Sequence, residues 1–241
     1  MRVGIISDLH SNLAALDAVL AHMGSVDAVW CLGDVVGYGP DPNECIARLR
    51  ERGVRCIAGN HDWAAVGRVG TEEFNRDAAA AIRWTARQLT PEARAWLAAL
   101  EPLHVEDDVT LAHGSPYDPI WEYVLSELVA ARAFRYFTTA LCLVGHTHIP
   151  CSFVEEAPGR VVGAYRGDGA VLALEGRRVL ANPGSVGQPR DGDPRAAYLL
   201  FDRAAGCLTW RRTSYPVAVT QEKMARAGLP PRLASRLAFG R

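Results

Sequence analysis

Short apolar runs alternate with helical periodicity through residues 1–62. "RVGIIS" opens as a short buried strand. In "NLAALDAVLAHMG", Leu13, Leu16, Leu20 and Met23 recur at helical spacing, and Gly24 stops the helix. "DAVWCLG" repeats the strand pattern. "DPNECIARLRERG" repeats the helix, with Asp41 as N-cap, Pro42 at the first helical position and Gly53 as the stop. "VRCIAG" supplies a third strand. Strands and helices alternating over short connections imply right-handed βαβ crossovers and a largely parallel sheet.

The middle of the chain changes character. Residues 72–100 are Ala-rich and helical, broken by Pro91. "HVEDDVTLAHG" reads as a two-stranded hairpin around Asp107 and Asp108. "SELVAARAFRYF" is a helix with Ser126 as its cap, and "ALCLVG" is a strand. From 150 to 213 the pattern is β, six runs separated by Gly, Pro and Asp turns. Residues 216–239 read as one or two Arg-bearing amphipathic helices. With no repeat and no long linker, one domain over residues 1–241 is expected, α/β in class, with helices outside two packed sheets.

Composition narrows the function. The chain is 49% hydrophobic with a net charge of −1, and Lys223 is its only lysine. That balance fits neither a polybasic membrane binder nor a nucleic-acid coat, although Arg48, Arg50, Arg52 and Arg55 form a local basic cluster. None of the six cysteines forms C-x-x-C, and most lie in apolar runs, so free thiols in a reduced compartment are expected. The N-terminal apolar run is too short for a signal peptide or a membrane span, so a cytoplasmic location is expected.

Candidate chemistry gathers where strands end, the edge at which open α/β sheets bind ligands. Asp8 and His10 follow the first strand, Asp34 the second, and Asn60, His61 and Asp62 the third. His113 follows the hairpin, and His146 and His148 follow "ALCLV". Singly, each is an ordinary turn or a hydrogen-bonded structural residue. Together, polar groups beside a buried sheet are costly unless something binds them. Carboxylate, imidazole and carboxamide without Cys suit hard or borderline divalent ions. The D-x-H and H-x-H spacings place each pair on one side of an extended segment. Seven ligands, Asp8, His10, Asp34, Asn60, His113, His146 and His148, exceed one tetrahedral site. They suit two metals sharing a carboxylate, typically about 3.5–4 Å apart. The charge that remains is positive and attracts a phosphoryl group.

The motifs "DLH" (8–10), "GD" (33–34), "GNHD" (59–62), His113 and "GHTH" (145–148) resemble the calcineurin-like metallophosphoesterase superfamily. "GDVVGYGPDPNECI" and "NPGSVGQPRDGDPRAAYLLFD" are similar to its small single-domain bacterial phosphodiesterase branch. The resemblance implies an αββα sandwich of two mixed sheets. It implies one metal on Asp8, His10, Asp34 and His148, and a second on Asp34, Asn60, His113 and His146, with Mn, Fe, Zn, Ni or Co as the ion. A metal-bridging hydroxide would attack phosphorus. His61 would stabilise the transition state or protonate the leaving oxygen, oriented by Asp62. "GDVVGYG" lacks the Asp and Arg of the protein Ser/Thr phosphatases, which disfavours phosphoprotein as substrate.

The expected activity is hydrolysis of a small or nucleotide-like phosphodiester. A phosphomonoesterase, a nuclease of the same fold and a non-catalytic scaffold are the alternatives. Two stretches that could overhang the metals are residues 72–100 and "GSPYDPIWEYV", whose Tyr117, Trp121 and Tyr123 are candidates to stack on a base. Arg190 is a candidate phosphate contact. The C-terminal helices read as packing elements that also leave a homo-oligomeric interface open.

Overall fold

A computed structural model describes residues 1–241. The alternating start is present as β1 (Arg2–Ile6), α1 (Leu13–Met23), β2 (Ala28–Cys31), α2 (Pro42–Glu51) and β3 (Arg55–Cys56). Then come three helices, α3 (Asn60–Val66), α4 (Arg76–Gln88) and α5 (Pro91–Ala98), and the hairpin β4 (Leu103–Glu106) and β5 (Val109–Ala112). α6 (Glu127–Ala133) leads to β6 (Leu141–Leu143), β7 (Cys151–Ala157), β8 (Arg160–Tyr165), β9 (Val171–Ala173) and β10 (Arg178–Asn182). β11 (Ala196–Asp202), β12 (Cys207–Thr213), α7 (Val217–Arg226) and α8 (Pro231–Ser235) close the chain, with a 3₁₀ turn at Arg236–Phe239.

The strands form two six-stranded mixed sheets, β3-β2-β1-β11-β12-β9 and β4-β5-β6-β10-β7-β8. The βαβ units make β1, β2 and β3 parallel, while β11 returns antiparallel beside β1. In the second sheet β5, β6 and β10 are parallel.

Alternation along each strand divides the core into layers. Val3 and Ile5 of β1 meet Leu141 and Leu143 of β6 and Val179 and Ala181 of β10 between the sheets. Ile6 faces outward into a layer with Leu16, Val19 and Leu20 of α1 and Ile46 and Leu49 of α2. Cys142 and Leu180 face the other way, onto Ala130 and Ala133 of α6. A Val, Leu or Ile among them contributes about 1.5–3 kcal/mol when fully buried. The result is helix, sheet, sheet, helix, as expected. Gly4 leaves room for the Met23 side chain of α1 to lie directly over β1. All six cysteines are free, and no helix is long and apolar enough to cross a membrane.

Asp41 does precede α2, but its side chain makes no capping bond. Its carboxylate instead accepts a bond from Lys223 Nζ at 2.9 Å, tying α2 to α7. The Asn12, Asn75, Thr90 and Ser126 side chains do cap the helices that follow them.

Candidate metal centre

Strands β1, β2, β3, β5 and β6 end at one edge of the sandwich, and the loops there interlock. Asp8 and His10 donate their amides to the carbonyls of Gly33 (3.0 Å) and Asp34 (2.9 Å). Asn182 Nδ2 donates to the Gly145 carbonyl at 2.7 Å, and Ser185 Oγ to the Asp8 carbonyl at 2.8 Å. The expected extended geometry of D-x-H and H-x-H is corrected. Asp8, His10, Asp34, His146 and His148 all have positive φ, between 46° and 66°. A left-handed conformation costs a non-glycine residue about 1–2 kcal/mol. Five of them at one edge, over-determined by loop-to-loop bonds, are the strain found at functional sites.

These turns bring all seven predicted ligands into one buried cluster, each side chain at most 4% exposed. Donor atoms of Asp8, His10, Asp34 and His148 lie within 4.8 Å of one another, and those of Asp34, His113 and His146 form a second group. Asp34 belongs to both. Its Oδ2 is 3.6 Å from His10 Nε2 and 3.4 Å from His113 Nε2. Asn60 Oδ1 joins the second group, 3.2 Å from His113 Nε2.

The imidazoles are set for coordination. Nδ1 of His10, His113 and His148 faces the carbonyls of Val36, Leu32 and Gln188 at 3.2, 2.8 and 2.6 Å. An Nδ1–H donated outward fixes the tautomer and leaves an Nε2 lone pair pointing inward. Burial holds His10 and His148 well below the usual imidazole range, so both are neutral. Their Nε2 atoms nevertheless stand 3.1 Å apart. Two lone pairs meeting at that distance are favourable only with a cation between them. His146 Nε2 is buried without a partner, while its Nδ1 faces His113 Nε2 at 3.2 Å. Burial lifts Asp8 to about 7, and the nearby Asp34 adds to that. Burial alone would also raise Asp34, but His113, His61 and His10 overcome it and hold Asp34 well below the carboxylate range. His113 in turn is lifted by Asp34 to about 9, against its own burial. A divalent cation beside Asp34 would take the place of that proton. The donor set fits a pair of hard or borderline divalent ions.

His61 lies at the start of α3, a helix the sequence pattern does not reveal. Its backbone N–H donates to Asp34 Oδ1 at 2.9 Å. Its ring packs 4.4 Å from Tyr38 and 4.9 Å from Phe74, and Nδ1 has no partner. The expectation that Asp62 orients this ring is also corrected. The Asp62 carboxylate accepts from Gly59 N at 2.9 Å and Val36 N at 3.0 Å, so it locks the start of α3 to the loop after β2. Asp62 therefore positions His61 through the backbone.

A family model for the calcineurin-like phosphoesterase superfamily domain matches residues 1–206. The chain belongs to this superfamily. An uncharacterized protein of Methanocaldococcus jannaschii is 38% identical over 99% of this chain and 98% of its own. The crystal structure of a metallophosphoesterase from Sphaerobacter thermophilus is 48% identical and superposes with a TM-score of 0.92, covering 100% of this chain and 99% of that one. A symmetrical bis(5'-nucleosyl)-tetraphosphatase of Pectobacterium carotovorum is 29% identical over 54% of this chain and 48% of its own. The superfamily hydrolyses phosphoesters with paired metal ions, and this chain carries a buried His/Asp cluster compatible with a metal site.

In this phosphoesterase the cluster opens into a pocket of about 440 Å³. Asp34, Asn60, His61, His146 and His148 form its floor, with Tyr38, Phe74, Trp121, Tyr123 and Arg190 around it. Arg190 is held by Gln188 Oε1 at 2.9 Å and by the Tyr38 hydroxyl at 3.4 Å. Tyr117, expected to touch substrate, does not line this pocket. It is 48% exposed and packs on Tyr136, with the Arg132 guanidinium over its ring. The loop's other aromatics do reach the pocket. Trp121 packs 5.3 Å from Phe74, and Tyr123 stacks on His146 at 3.9 Å and 16°. Tyr38 and Phe74 were not singled out by sequence. Their one signal is adjacency, since Tyr38 follows "GDVVG" and Phe74 opens the helical stretch.

Proposed function

We propose that this protein is a dinuclear metal-dependent phosphodiesterase acting on a small, nucleotide-like phosphodiester. The observation that carries the reading is the sharing of Asp34 between two buried donor groups at the floor of one pocket. Asp8, His10, Asp34 and His148 would hold one ion; Asp34, Asn60, His113 and His146 would hold the other. Such a pair polarises a phosphoryl oxygen and makes a water nucleophilic at neutral pH. Two carboxylates against two divalent ions leave the site positive, which favours an anionic phosphoryl group. The oxygen and nitrogen donors suit Mn, Fe, Zn, Ni or Co alike.

The chain's own residues then position and discharge the substrate. Arg190, braced by Gln188 and Tyr38, offers its guanidinium to a phosphoryl oxygen. Burial holds His61 down to about 4, so at neutral pH its ring is neutral and donates one N–H to the transferring group or the leaving oxygen. Trp121, Tyr123 and Phe74 give the pocket aromatic walls suited to a nucleobase. The partial match to a symmetrical bis(5'-nucleosyl)-tetraphosphatase supports a nucleotide-like substrate.

The test is a metal-supplemented screen with Mn²⁺, Fe²⁺, Co²⁺, Ni²⁺, Zn²⁺ or Mg²⁺ over cyclic nucleotides, dinucleotides, head-group diesters and monoesters, ranked by kcat/KM. A diester should rank first. A monoester ranking first replaces the diester reading, and no hydrolysis with any metal sinks the enzyme. Asp34→Asn should abolish turnover and weaken both ions. His148→Ala and His146→Ala should each weaken a different one.

A further inference from the structure

Beside the metal pocket runs a second groove of about 740 Å³ that the proposed reaction does not use. Asn75, the cap of α4, lines both, so the two lie side by side. The groove is built from the start of α4 and from residues 232–241, largely outside the segment the family model matches. Arg76, Arg232, Arg236 and Arg241 line it, and Asp77 is the one acidic side chain among them. Ion pairs of the C-terminal helices form elsewhere, Lys223 with Asp41 and Arg226 with Glu222, and leave Arg232 and Arg236 without an acidic side-chain partner. Arg236 is half-buried and its Nε donates to the Arg241 main-chain oxygen, which leaves its other N–H groups for a ligand. Burial, then Arg190, lowers its pKa. Phe239 adds an exposed aromatic ring, 62% accessible, at the same groove.

The groove is rigidly joined to the site. Leu233 and Leu237, flanking these arginines, are buried in one apolar cluster with Tyr38. The Tyr38 ring in turn packs 4.6 Å from His10 and 4.4 Å from His61. Unpaired guanidiniums on a fixed backbone are a bidentate phosphate-binding arrangement.

We propose that this groove is a second anion-binding subsite, which takes a phosphate group of the substrate separated from the scissile phosphoryl by part of the same molecule. This rests on the phosphodiesterase reading for the identity of the substrate, but the anion site can be tested without it. Calorimetric titration of tripolyphosphate into the wild-type protein and Arg232→Gln/Arg236→Gln reads the groove directly. The double variant should bind about tenfold more weakly and with a shallower salt dependence. On the loaded enzyme, KM for a dinucleoside tetraphosphate should rise about tenfold, while kcat/KM for bis(p-nitrophenyl) phosphate stays within about twofold. Equal tripolyphosphate binding by the two proteins overturns the proposal, as does a common fall for both substrates. A loss confined to oligonucleotide binding overturns it in favour of a nucleic-acid surface. Arg76→Gln, at an exposed helix start, repeats the titration if the double variant does not fold. If the enzyme hydrolyses neither substrate, the phosphodiesterase reading fails and the titration still decides the groove.

Discussion

His61 touches Tyr38, His10 and Phe74 with its ring and Asp34 with its backbone, and no charged partner reaches its imidazole nitrogens. Desolvation therefore dominates, and the ring stays neutral down to about 4. The sign follows from linkage: a histidine depressed from about 6.5 contributes stability above that pH and loses it as pH falls toward 4. His146, depressed to about 3, acts in the same direction, whereas His113, raised to about 9, stabilises below 6.5 and loses that as pH rises. His61→Asn should flatten the acid loss of stability of the metal-free protein between pH 6.5 and 4, read by urea unfolding. The same variant should keep its metal content and lose about 10²–10⁴ in kcat. A variant that loses its metal with its activity would instead make His61 a ligand. From sequence, His61 is visible as a candidate, but its protonation state is not, because that depends on which rings surround it.

At the scale of elements, the site is a set of interlocked turns. Gly187 N donates to the Asp8 carbonyl at 3.0 Å, and a Cβ at Gly187 would lie 1.8 Å from the Leu9 carbonyl oxygen. Gly187→Ala must push the 182–190 loop away from "DLH", and with it the Gln188 carbonyl that holds His148 Nδ1. The expected outcome is weaker binding of the ion held by His148, about 10–100-fold, measured by metal titration, with the other ion unchanged. α3 makes a second case. Asp62→Ala leaves the buried amides of Gly59 and Val36 without their acceptor, which should cost about 1–3 kcal/mol in urea unfolding. α1 and α2 are legible from apolar periodicity and caps. α3 is not: only seven residues long, it opens on three polar ones and shows no apolar period. What holds its start is the Asp62 carboxylate, which accepts from Gly59 N three residues back and from Val36 N, in a segment 26 residues away.

Across the whole molecule, the cluster gathers two buried carboxylates and four buried imidazoles from five strand ends. Without cations the protein must keep facing lone pairs and a buried proton on His113 inside it. Ions that bind only the folded state should stabilise it, by about 2.7 kcal/mol at a hundredfold excess over Kd. Mn²⁺ should therefore raise Tm, a chelator should reverse the rise, and Asp34→Asn should abolish most of it. A Tm indifferent to metal would argue against a preformed centre.

The residues of "GHTH" and its four companion motifs, their order and their places after apolar runs are properties of the chain. They were enough for the family, the layered α/β class and the ligand list, because strand burial and donor chemistry are local. What the backbone does at those motifs is decided by tertiary structure. Asp8, His10, His146 and His148 hold left-handed turns because neighbouring loops bond them there. Tyr123 rather than Tyr117 meets the site because the loop between them turns on Asp118, whose carboxylate accepts from Trp121 N at 3.1 Å. The arginine groove exists because apolar contacts bring residues 232–239 to the start of α4. Contacts between residues so far apart in the chain leave no mark on local pattern, and the shape of the site is made almost wholly of them.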